Sequence, residues 1–378
     1  MKIVIAIDSF KGSLTSFEAG EAVKKAAQKV FPHSEVIVLP LADGGEGTAE
    51  AIALSQGGKR VVLSVLGPLA QRVEAEYYVL KDNTAVIEMS SAAGITLVSE
   101  EQRNPLNTTT YGVGELIKDA ITKGCRNFII GIGGSATNDG GVGMLKALGF
   151  EFLDKDSNEI PLGAKGLSLL NKISHRNVLP QLKECSFKIA CDVTNPLCGN
   201  NGCSAVFSPQ KGAKAEDISK MDKWLLNYSR LAKKINPMAD ADFPGSGAAG
   251  GLGFAFLSFT NATLQSGVDI VLENCGLEDQ IKTAHLVITG EGRLDGQTVM
   301  GKAPIGVARM AKKHQKRVIA FAVALGQGAE LCLESGIDSY YCITPKTMTT
   351  QEAMKKENAL KNMQTTTESV FSSLRSNS

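Results

Sequence analysis

Short apolar runs alternate with amphipathic segments in the first part of the chain. Residues 3–7 and 36–39 are apolar runs of strand length, and the segments 16–30 and 46–54 that follow them have helical spacing. In 16–30 the apolar positions, among them Ala19, Val23 and Val30, lie on one helix face. This strand–helix alternation predicts a parallel sheet covered by helices.

The alternation breaks after residue 60. The runs 61–65, 75–80 and 84–89 are separated by turn signals such as Gly67-Pro68 and Asp82-Asn83, which predicts an antiparallel meander. Helices are expected at 109–122 and 141–148, a strand at 128–130, and loops over 150–185.

Apolar runs bounded by helical segments then return at 187–191, 286–289, 317–323 and 339–343, and a terminal helix is expected from residue 351 to about 374. The pattern predicts an α/β domain, residues 1–60 plus 186–378, interrupted by a second α/β domain at 61–185.

Composition narrows the class of protein. The chain has 378 residues, with 40 Lys and Arg against 39 Asp and Glu, so the basic excess typical of a nucleic-acid binder is absent. No apolar run reaches the roughly 18 residues of a membrane span. The eight cysteines form no C-x-x-C pair, and we expect reduced thiols in a cytoplasmic protein.

Acids follow four of the expected strands. They are Asp8, Asp43, Asp192 and Glu291, and each stands in a loop rich in Gly, Ser, Thr or Asn. Ligands of open parallel sheets bind beyond the carboxyl ends of the strands. Each loop alone could be an ordinary turn or helix cap, but four of them favour a shared ligand site.

These residue types suit phosphoryl transfer. Carboxylates hold Mg²⁺, backbone N–H groups and lysines bind phosphate, and one further carboxylate can accept the proton of the attacking hydroxyl. The segment 296–303 matches G-x-x-x-x-G-K, but Ala303 stands where a P-loop needs Ser or Thr. Lys302 could still reach a phosphate near a helix N-terminus, or the segment could be only a capping turn.

The stretch GIGGSATNDGGVGMLKALG, residues 131–149, contains a match to the dinucleotide fingerprint at Gly131, Gly133 and Ala136. An NAD-dependent dehydrogenase is therefore one alternative. The polar residues after Ala136 delay the helix, however, and Asp154 and Asp156 resemble turn residues more than ribose-binding acids.

Taken together, eight motifs resemble the bacterial type-1 glycerate kinase family. They run in order from the first strand to about residue 310: DSFKGSLTS, LADGGEGT, RNPLNTTTYGVGELI, GIGGSATNDGGVGMLKALG, ACDVTNPLCG, PQKGA, PGSGAAGGLG and TGEGRLDGQTVMGKAPIGVA. The resemblance implies ATP-dependent phosphorylation of glycerate by a flavodoxin-like domain that carries an inserted α/β domain. It leans toward 2-phosphoglycerate as the product.

The roles of individual residues follow from residue type and position. The active site is expected in a cleft between the two domains. Asp192 is the candidate general base and Asp8 the alternative. The other candidates are Lys11, Arg293, Ser9 and Asn195 for glycerate or the transferred phosphoryl group (Lys11 also for catalysis); Gly44, Gly45, Gly133, Gly134, Ser135, Asn138, Asp139 and Lys302 for the nucleotide; and Asp43, Glu46 and Glu291 for Mg²⁺.

Other functions stay open at this point. The chain could be a kinase of another small hydroxy acid, or a regulator that binds a nucleotide or sugar acid without turnover. Glycerate and ATP are the expected partners, with no nucleic acid or membrane, and the chain is expected to be a monomer or a homodimer.

Overall fold

The computed structural model describes residues 1–10, 12–41 and 47–376, apart from the side chain of Thr350. Its strands in chain order are β1 Lys2–Ile7, β2 Glu35–Val38, β3 Lys59–Leu66, β4 Arg72–Val79, β5 Thr84–Glu88, β6 Asn127–Gly131, β7 Glu151–Leu153, β8 Lys172–Ser174, β9 Ser186–Ala190, β10 Ala262–Gln265, β11 Leu286–Leu294, β12 Arg317–Leu325 and β13 Ser339–Cys342.

The α-helices are α1 Ser16–Val30, α2 Thr48–Gln56, α3 Ser90–Ala93, α4 Tyr111–Thr122, α5 Val142–Ala147, α6 Cys203–Phe207, α7 Ala215–Ile235, α8 Ala248–Phe259, α9 Gly267–Asn274, α10 Leu277–Lys282, α11 Ala303–Lys313, α12 Leu331–Glu334, α13 Thr350–Ala353 and α14 Lys356–Ser376. Short 3₁₀ turns cover Ile95–Leu97, Glu100–Gln102, Ala164–Leu169, Pro180–Glu184, Pro209–Lys211 and Thr298–Met300.

Two compact units divide the chain. The first comprises the described residues of Met1–Asp43, Leu54–Gln56 and Val268–Ser378, and the second those of Gly44–Ala53 and Gly57–Gly267. The second unit therefore interrupts the first in sequence, and each unit has a hydrophobic core of its own.

A five-stranded sheet forms the centre of the first unit, in the order β2-β1-β11-β12-β13 with every pair parallel. Its three central strands, β1, β11 and β12, are largely buried on both faces, as is usual where helices cover a parallel sheet, whereas the edge strands β2 and β13 are partly exposed. Helix α1 has the bounds that the apolar spacing predicts. Thr15 caps it: its hydroxyl accepts from the Glu18 N–H at 3.2 Å, while the Glu18 carboxylate accepts from the Thr15 N–H at 3.1 Å.

A six-stranded mixed sheet forms the centre of the second unit, in the order β10-β9-β6-β5-β4-β3. The β3-β4 and β4-β5 pairs are antiparallel, which confirms the meander expected from sequence. The remaining pairs are parallel, so β5, β6, β9 and β10 end at the same edge of this sheet. Phe128 on β6 stacks on Phe187 on β9 with ring centroids 4.7 Å apart.

One strand belongs to a different sheet from the one expected. The sequence pattern places the run 187–191 in the domain 1–60 plus 186–378. In the structure, β9 pairs with β6 and β10 within the second unit. The assignment of residues 186–267 to the first domain is therefore wrong at the level of the sheet. The apolar run is correct, but strand pairing over long sequence separations is not encoded in the local pattern.

Among the described residues, no helix is both long enough and apolar enough to cross a membrane.

Candidate functional site

Residues with possible chemistry stand at the carboxyl ends of parallel strands in both units. In the first unit they follow β1 and lie at the end of β11, which are adjacent strands. In the second unit they follow β6 and β9, which are also adjacent. The four acidic loops of the sequence therefore do not all belong to one sheet.

Asp8 comes directly after β1. Its backbone N–H donates to the Gly290 carbonyl at 2.9 Å, one residue before Glu291, so the two acids lie side by side on neighbouring strands. One carboxylate oxygen of Asp8 accepts from the Ser9 N–H at 2.6 Å, and only 6% of Asp8 is exposed. The end of β1 is anchored by the Ser16 hydroxyl, which donates to the Ile7 carbonyl at 2.6 Å.

Glu291 is the centre of a hydrogen-bonded cluster. The Thr298 hydroxyl donates to its Oε1 at 2.6 Å, and the Lys302 ammonium lies 3.3 Å from its Oε2. Burial raises the pKa of Glu291, against the opposing influence of Thr298 and Lys302. Both carboxylate oxygens are thus engaged within the protein, an arrangement that positions Lys302 at the start of α11.

Arg293 lies two residues further along β11. Its side chain is 65% exposed, and its Nε lies 3.2 Å from a carboxylate oxygen of Asp295. The same Asp295 accepts from the Gln297 N–H at 2.9 Å, so it fixes the turn that leads to Thr298. An exposed guanidinium restrained in this way is available to a carboxylate or phosphate.

The loop Gly133–Ser135 comes after β6 in the second unit. The Gly134 carbonyl accepts from the Ile95 N–H at 2.8 Å, and the Ala136 N–H donates to the Ala93 carbonyl at 2.9 Å. Gly134 has a φ of +69°, and both glycines are exposed. The N–H groups of Gly133 and Gly134 have no acceptor among residues 1–10, 12–41 and 47–376, so they are available to an anion.

Asp139 is buried inside the second unit. Its carboxylate accepts from the backbone N–H groups of Thr110, Gly141 and Gly143 at 2.8, 3.1 and 3.2 Å, and from the Thr110 hydroxyl. Burial raises its pKa, although these hydrogen bonds favour the charged form. Only 1% of Asp139 is exposed, and its carboxylate joins the loop to the start of α4 and α5, so the described contacts are internal and its place beside the nucleotide stays a prediction.

Asn138 is also an interior residue, with no exposed surface. Its amide donates to the Ser204 hydroxyl at 2.9 Å, and its carbonyl oxygen accepts from the Ser208 hydroxyl at 3.2 Å. Its contact with the nucleotide likewise stays a prediction. Gly250, from the glycine cluster of α8, supports this loop: its carbonyl accepts from the Gly140 N–H, and at φ +67° a Cβ would lie 2.1 Å from the Thr137 oxygen.

Asp192 comes two residues after β9 and is exposed. One of its carboxylate oxygens accepts from the Gly267 N–H at 3.0 Å. Because β6 and β9 pair in parallel, with Gly131 opposite Ala190, Asp192 and the Gly133–Ser135 loop lie at neighbouring strand ends. The side chain of Asn195 donates to the Asn201 carbonyl at 2.8 Å and holds the loop beyond Asp192.

Five predicted site residues lie outside the described residues. They are Lys11, Asp43, Gly44, Gly45 and Glu46. Within the described part of the chain, no group of three or more His, Cys, Asp or Glu side chains could hold a metal ion.

The fingerprint of residues 131–149 does not follow the first strand of its unit, as a dinucleotide site would. Asp154 accepts from the N–H groups of Asp156 and Asn158 at 2.8 and 2.9 Å, which confirms that it is a turn residue.

Three polar residues of these sites were not singled out from sequence. Lys211 donates to the Ser135 hydroxyl and to the Thr137 carbonyl, both at 2.7 Å, while Thr298 and Asp295 support Glu291 and Arg293. Lys211 stands in the PQKGA motif, but a lysine beside a turn glycine is ordinarily exposed. Only the enclosed position, 2% exposed, distinguishes it.

This chain is similar to known proteins over almost its whole length. A model of the Glycerate kinase family matches residues 3–375. The glycerate 2-kinase of Escherichia coli (strain K12) is 47% identical over 357 residues, covering 94% of this chain and 93% of that protein. The glycerate kinase of Bacillus subtilis (strain 168) is 43% identical, covering 99% and 98%.

A solved structure is similar over the whole chain. The crystal structure of a candidate glycerate kinase 2 from Salmonella typhimurium LT2 has a TM-score of 0.90 and 43% identity, covering 100% of this chain and 99% of that one.

Proposed function

The chain belongs to the glycerate kinase family, and from that premise we propose that it transfers the γ-phosphoryl group of ATP to the 2-hydroxyl group of D-glycerate. The phosphotransferase activity on glycerate follows from the family. The position of transfer is supported by the name of the Escherichia coli relative, a glycerate 2-kinase. Membership of this family excludes the NAD-dependent dehydrogenase that the fingerprint left as an alternative.

The observation that carries the mechanism is the place of Asp192. This exposed carboxylate stands at the end of a strand adjacent to the Gly133–Ser135 loop, so a general base and phosphate-binding donors occupy neighbouring strand ends. In the proposed step the glycerate hydroxyl oxygen forms a bond to the γ-phosphorus as its proton passes to Asp192. The bond from that phosphorus to the bridging oxygen breaks, and ADP leaves. Asp8 is the alternative base.

Cationic and polar side chains would hold the two substrates. Lys11, Arg293, Ser9 and Asn195 are the candidates for the carboxylate of glycerate and the transferred phosphoryl group. Gly133, Gly134, Ser135 and Lys302, with Gly44 and Gly45, are the candidates for the nucleotide phosphates. Arg293 is supported by its exposed guanidinium, and Lys302 by its position at the N-terminus of α11.

Mg²⁺ would neutralise charge on the phosphates, and it usually binds through one or two carboxylates together with the nucleotide. Asp43 and Glu46 stay the candidate ligands. For Glu291 the hydrogen bonds to Thr298 and Lys302 favour a different role, that of holding Lys302 in place.

The finer description of the fold is also a proposal. In the first unit the five parallel strands have the spatial order 2-1-3-4-5 when numbered within that unit, which supports a flavodoxin-like domain. The active-site cleft between the two domains, the cytoplasmic location and a monomeric or homodimeric state stay predictions.

One assay tests the proposal. The purified chain is incubated with ATP, Mg²⁺ and D-glycerate, ADP release is followed, and the product is identified by phosphorus NMR. We expect 2-phosphoglycerate. A 3-phosphoglycerate signal would contradict the position of transfer, faster turnover with another hydroxy acid would contradict the choice of substrate, and binding without ADP release would indicate a regulator.

A further inference from the structure

Lys211 places a positive charge in the interior of the second unit. It is 2% exposed, and both of its hydrogen-bond acceptors are neutral oxygens, those of Ser135 and Thr137. It forms no ion pair with any residue that the structure describes. Burying an ammonium group is unfavourable unless an anion pairs with it, because the charge loses its hydration.

Asp139, the buried acid that acts on Lys211, forms no ion pair with it. Asp139 acts on it through space, while its carboxylate is occupied by Thr110, Gly141 and Gly143. Burial lowers the pKa of Lys211 to about 8, so the ammonium form predominates at neutral pH but is lost at mildly alkaline pH. A countercharge supplied by a ligand would stabilise it.

The contact with Lys211 determines how the Ser135 hydroxyl is used. An ammonium group can only donate, so the Ser135 oxygen accepts and its own hydrogen needs another acceptor. The described part of the chain provides none. Ser135 is 8% exposed and ends the loop in which the N–H groups of Gly133 and Gly134 are also without acceptors. Three donors are therefore left for anionic oxygens.

We propose that Lys211 is a positioning residue for nucleotide binding: it turns the Ser135 hydroxyl into a donor and makes the Gly133–Ser135 loop positive, so that the loop binds phosphate oxygens of ATP. This rests on the proposed kinase function. A purely structural role would be to tie the turn Pro209–Lys211 to Ser135 and Thr137. That role predicts lower stability without a change in nucleotide affinity.

The full chain serves for the test, as wild type and as Lys211→Met, Ser135→Ala and the double variant. Lys211→Met keeps the length of the side chain and removes its charge. Ser208→Ala is the matched control, because Ser208 is equally buried near the same turn but bonds to Asn138 instead of Ser135. Affinity for a non-hydrolysable ATP analogue, the KM values for ATP and glycerate, and Tm are measured.

We expect each single variant to weaken analogue binding at least tenfold, with an equal rise in KM for ATP. The double variant should resemble Lys211→Met, since the two residues act as one unit. KM for glycerate should change less than twofold, and Ser208→Ala should lower Tm alone. Normal analogue affinity in folded Lys211→Met, multiplied effects in the double variant, or a rise confined to the KM for glycerate would overturn the proposal.

A pH series covers the case in which Lys211→Met does not fold. Wild-type affinity for the analogue should fall as pH rises through about 8, because deprotonation removes the charge and leaves a neutral amine that can accept the hydrogen of the Ser135 hydroxyl. The ionisable groups that act on Lys211 are Asp139 and Cys203, and burial raises the pKa of Cys203 to about 12, above this window. Ser135→Ala should show a smaller step, because only the effect of the charge remains, and a step of equal size in both proteins would count against the proposal.

The binding measurement needs no glycerate. A wild-type chain that binds the analogue but does not phosphorylate glycerate would therefore contradict the proposed function, while the comparison with Lys211→Met would still decide the role of Lys211.

Discussion

The two units differ in how a lysine near the candidate site is paired. In the first unit the side chain of Lys302 is 42% exposed, and its ammonium group is paired with the carboxylate of Glu291. In the second unit Lys211 is enclosed, and among the described residues its hydrogen-bond acceptors are the neutral oxygens of Ser135 and Thr137. A cation with its counterion in place can hold a side chain in position, whereas an enclosed cation without one favours the arrival of an anion.

The same contrast holds for the acids. In the second unit Asp139 is saturated with internal hydrogen bonds and shapes the loop, while Asp192 stays exposed at the strand end. Residues of one chemical type are thus divided between buried positions that support a loop and exposed positions at a strand end. Burial and hydrogen-bond partners identify the division.

Asp192→Asn should have the largest effect, because it removes the proposed base from the exposed position. We expect kcat to fall about 10²- to 10⁴-fold with unchanged stability. Steady-state kinetics with D-glycerate measure the fall in kcat. Asp154→Asn is the control, since Asp154 also accepts backbone N–H groups in a surface turn, and its kcat should not change. Near-normal turnover in folded Asp192→Asn would transfer the role to Asp8.

Asp139→Asn should reduce stability instead of chemistry. The new side-chain amide would place its own N–H groups against backbone N–H groups that donate to a carboxylate in the wild type. We expect this to lower the free energy of unfolding by about 3 kcal/mol. Urea denaturation measures this loss. Asp156→Asn, in an exposed turn, should stay within about 0.5 kcal/mol of wild type. Equal stability of Asp139→Asn would show that the buried carboxylate is not needed for the loop.

Lys211 should make stability depend on alkaline pH. Its pKa is about 8 in the folded chain and 10.5 as the ordinary value, so between these limits the unfolded chain holds a proton that the folded chain has lost. Wild-type stability should therefore rise with pH there, relative to Lys211→Met, by about 1.4 kcal/mol per pH unit. Paired urea titrations from pH 7.5 to 10.5 measure the difference. A constant difference would mean that Lys211 has an ordinary pKa.

Glu291→Gln should have the smallest effect. Glutamine can still accept one hydrogen bond, so Lys302 is loosened but not released, and we expect KM for ATP to rise about 3- to 10-fold. The control is Asp279→Asn, which breaks the exposed 2.7 Å pair with Lys282 and should leave the kinetics unchanged. A larger fall in kcat than in ATP affinity would return Glu291 to the candidate Mg²⁺ ligands.

Local pattern was enough to predict many of the elements, but not their arrangement. The apolar spacing of α1 and the turn signals of the β3-β5 meander depend on neighbouring residues. The pairing of β9 with β6 joins Ser186–Ala190 to Asn127–Gly131, and nothing within the apolar run 187–191 distinguishes one parallel sheet from another. The strand β10, Ala262–Gln265, was missed because four residues show too little periodicity.

The candidate site divides along the same line. Asp8, Asp192 and Arg293 could be found because acids and cations after apolar runs identify strand ends. The interior positions of Asn138, Asp139 and Lys211 could not, since their partners Ser208, Thr110 and Ser135 lie about 30 to 80 residues away in sequence. Polar motifs therefore predicted which loops follow strands better than they predicted which side chains are exposed.

The discontinuous first unit has a consequence for the order of folding during synthesis. Strand β1, Lys2–Ile7, lies between β2 and β11, and β11 begins only at Leu286. At roughly 5–20 residues per second the ribosome needs tens of seconds to supply that second neighbour. All strands of the six-stranded sheet have been synthesised once the chain reaches residue 265. The second unit can therefore fold first, while β1 of the first unit still lacks its pairing with β11.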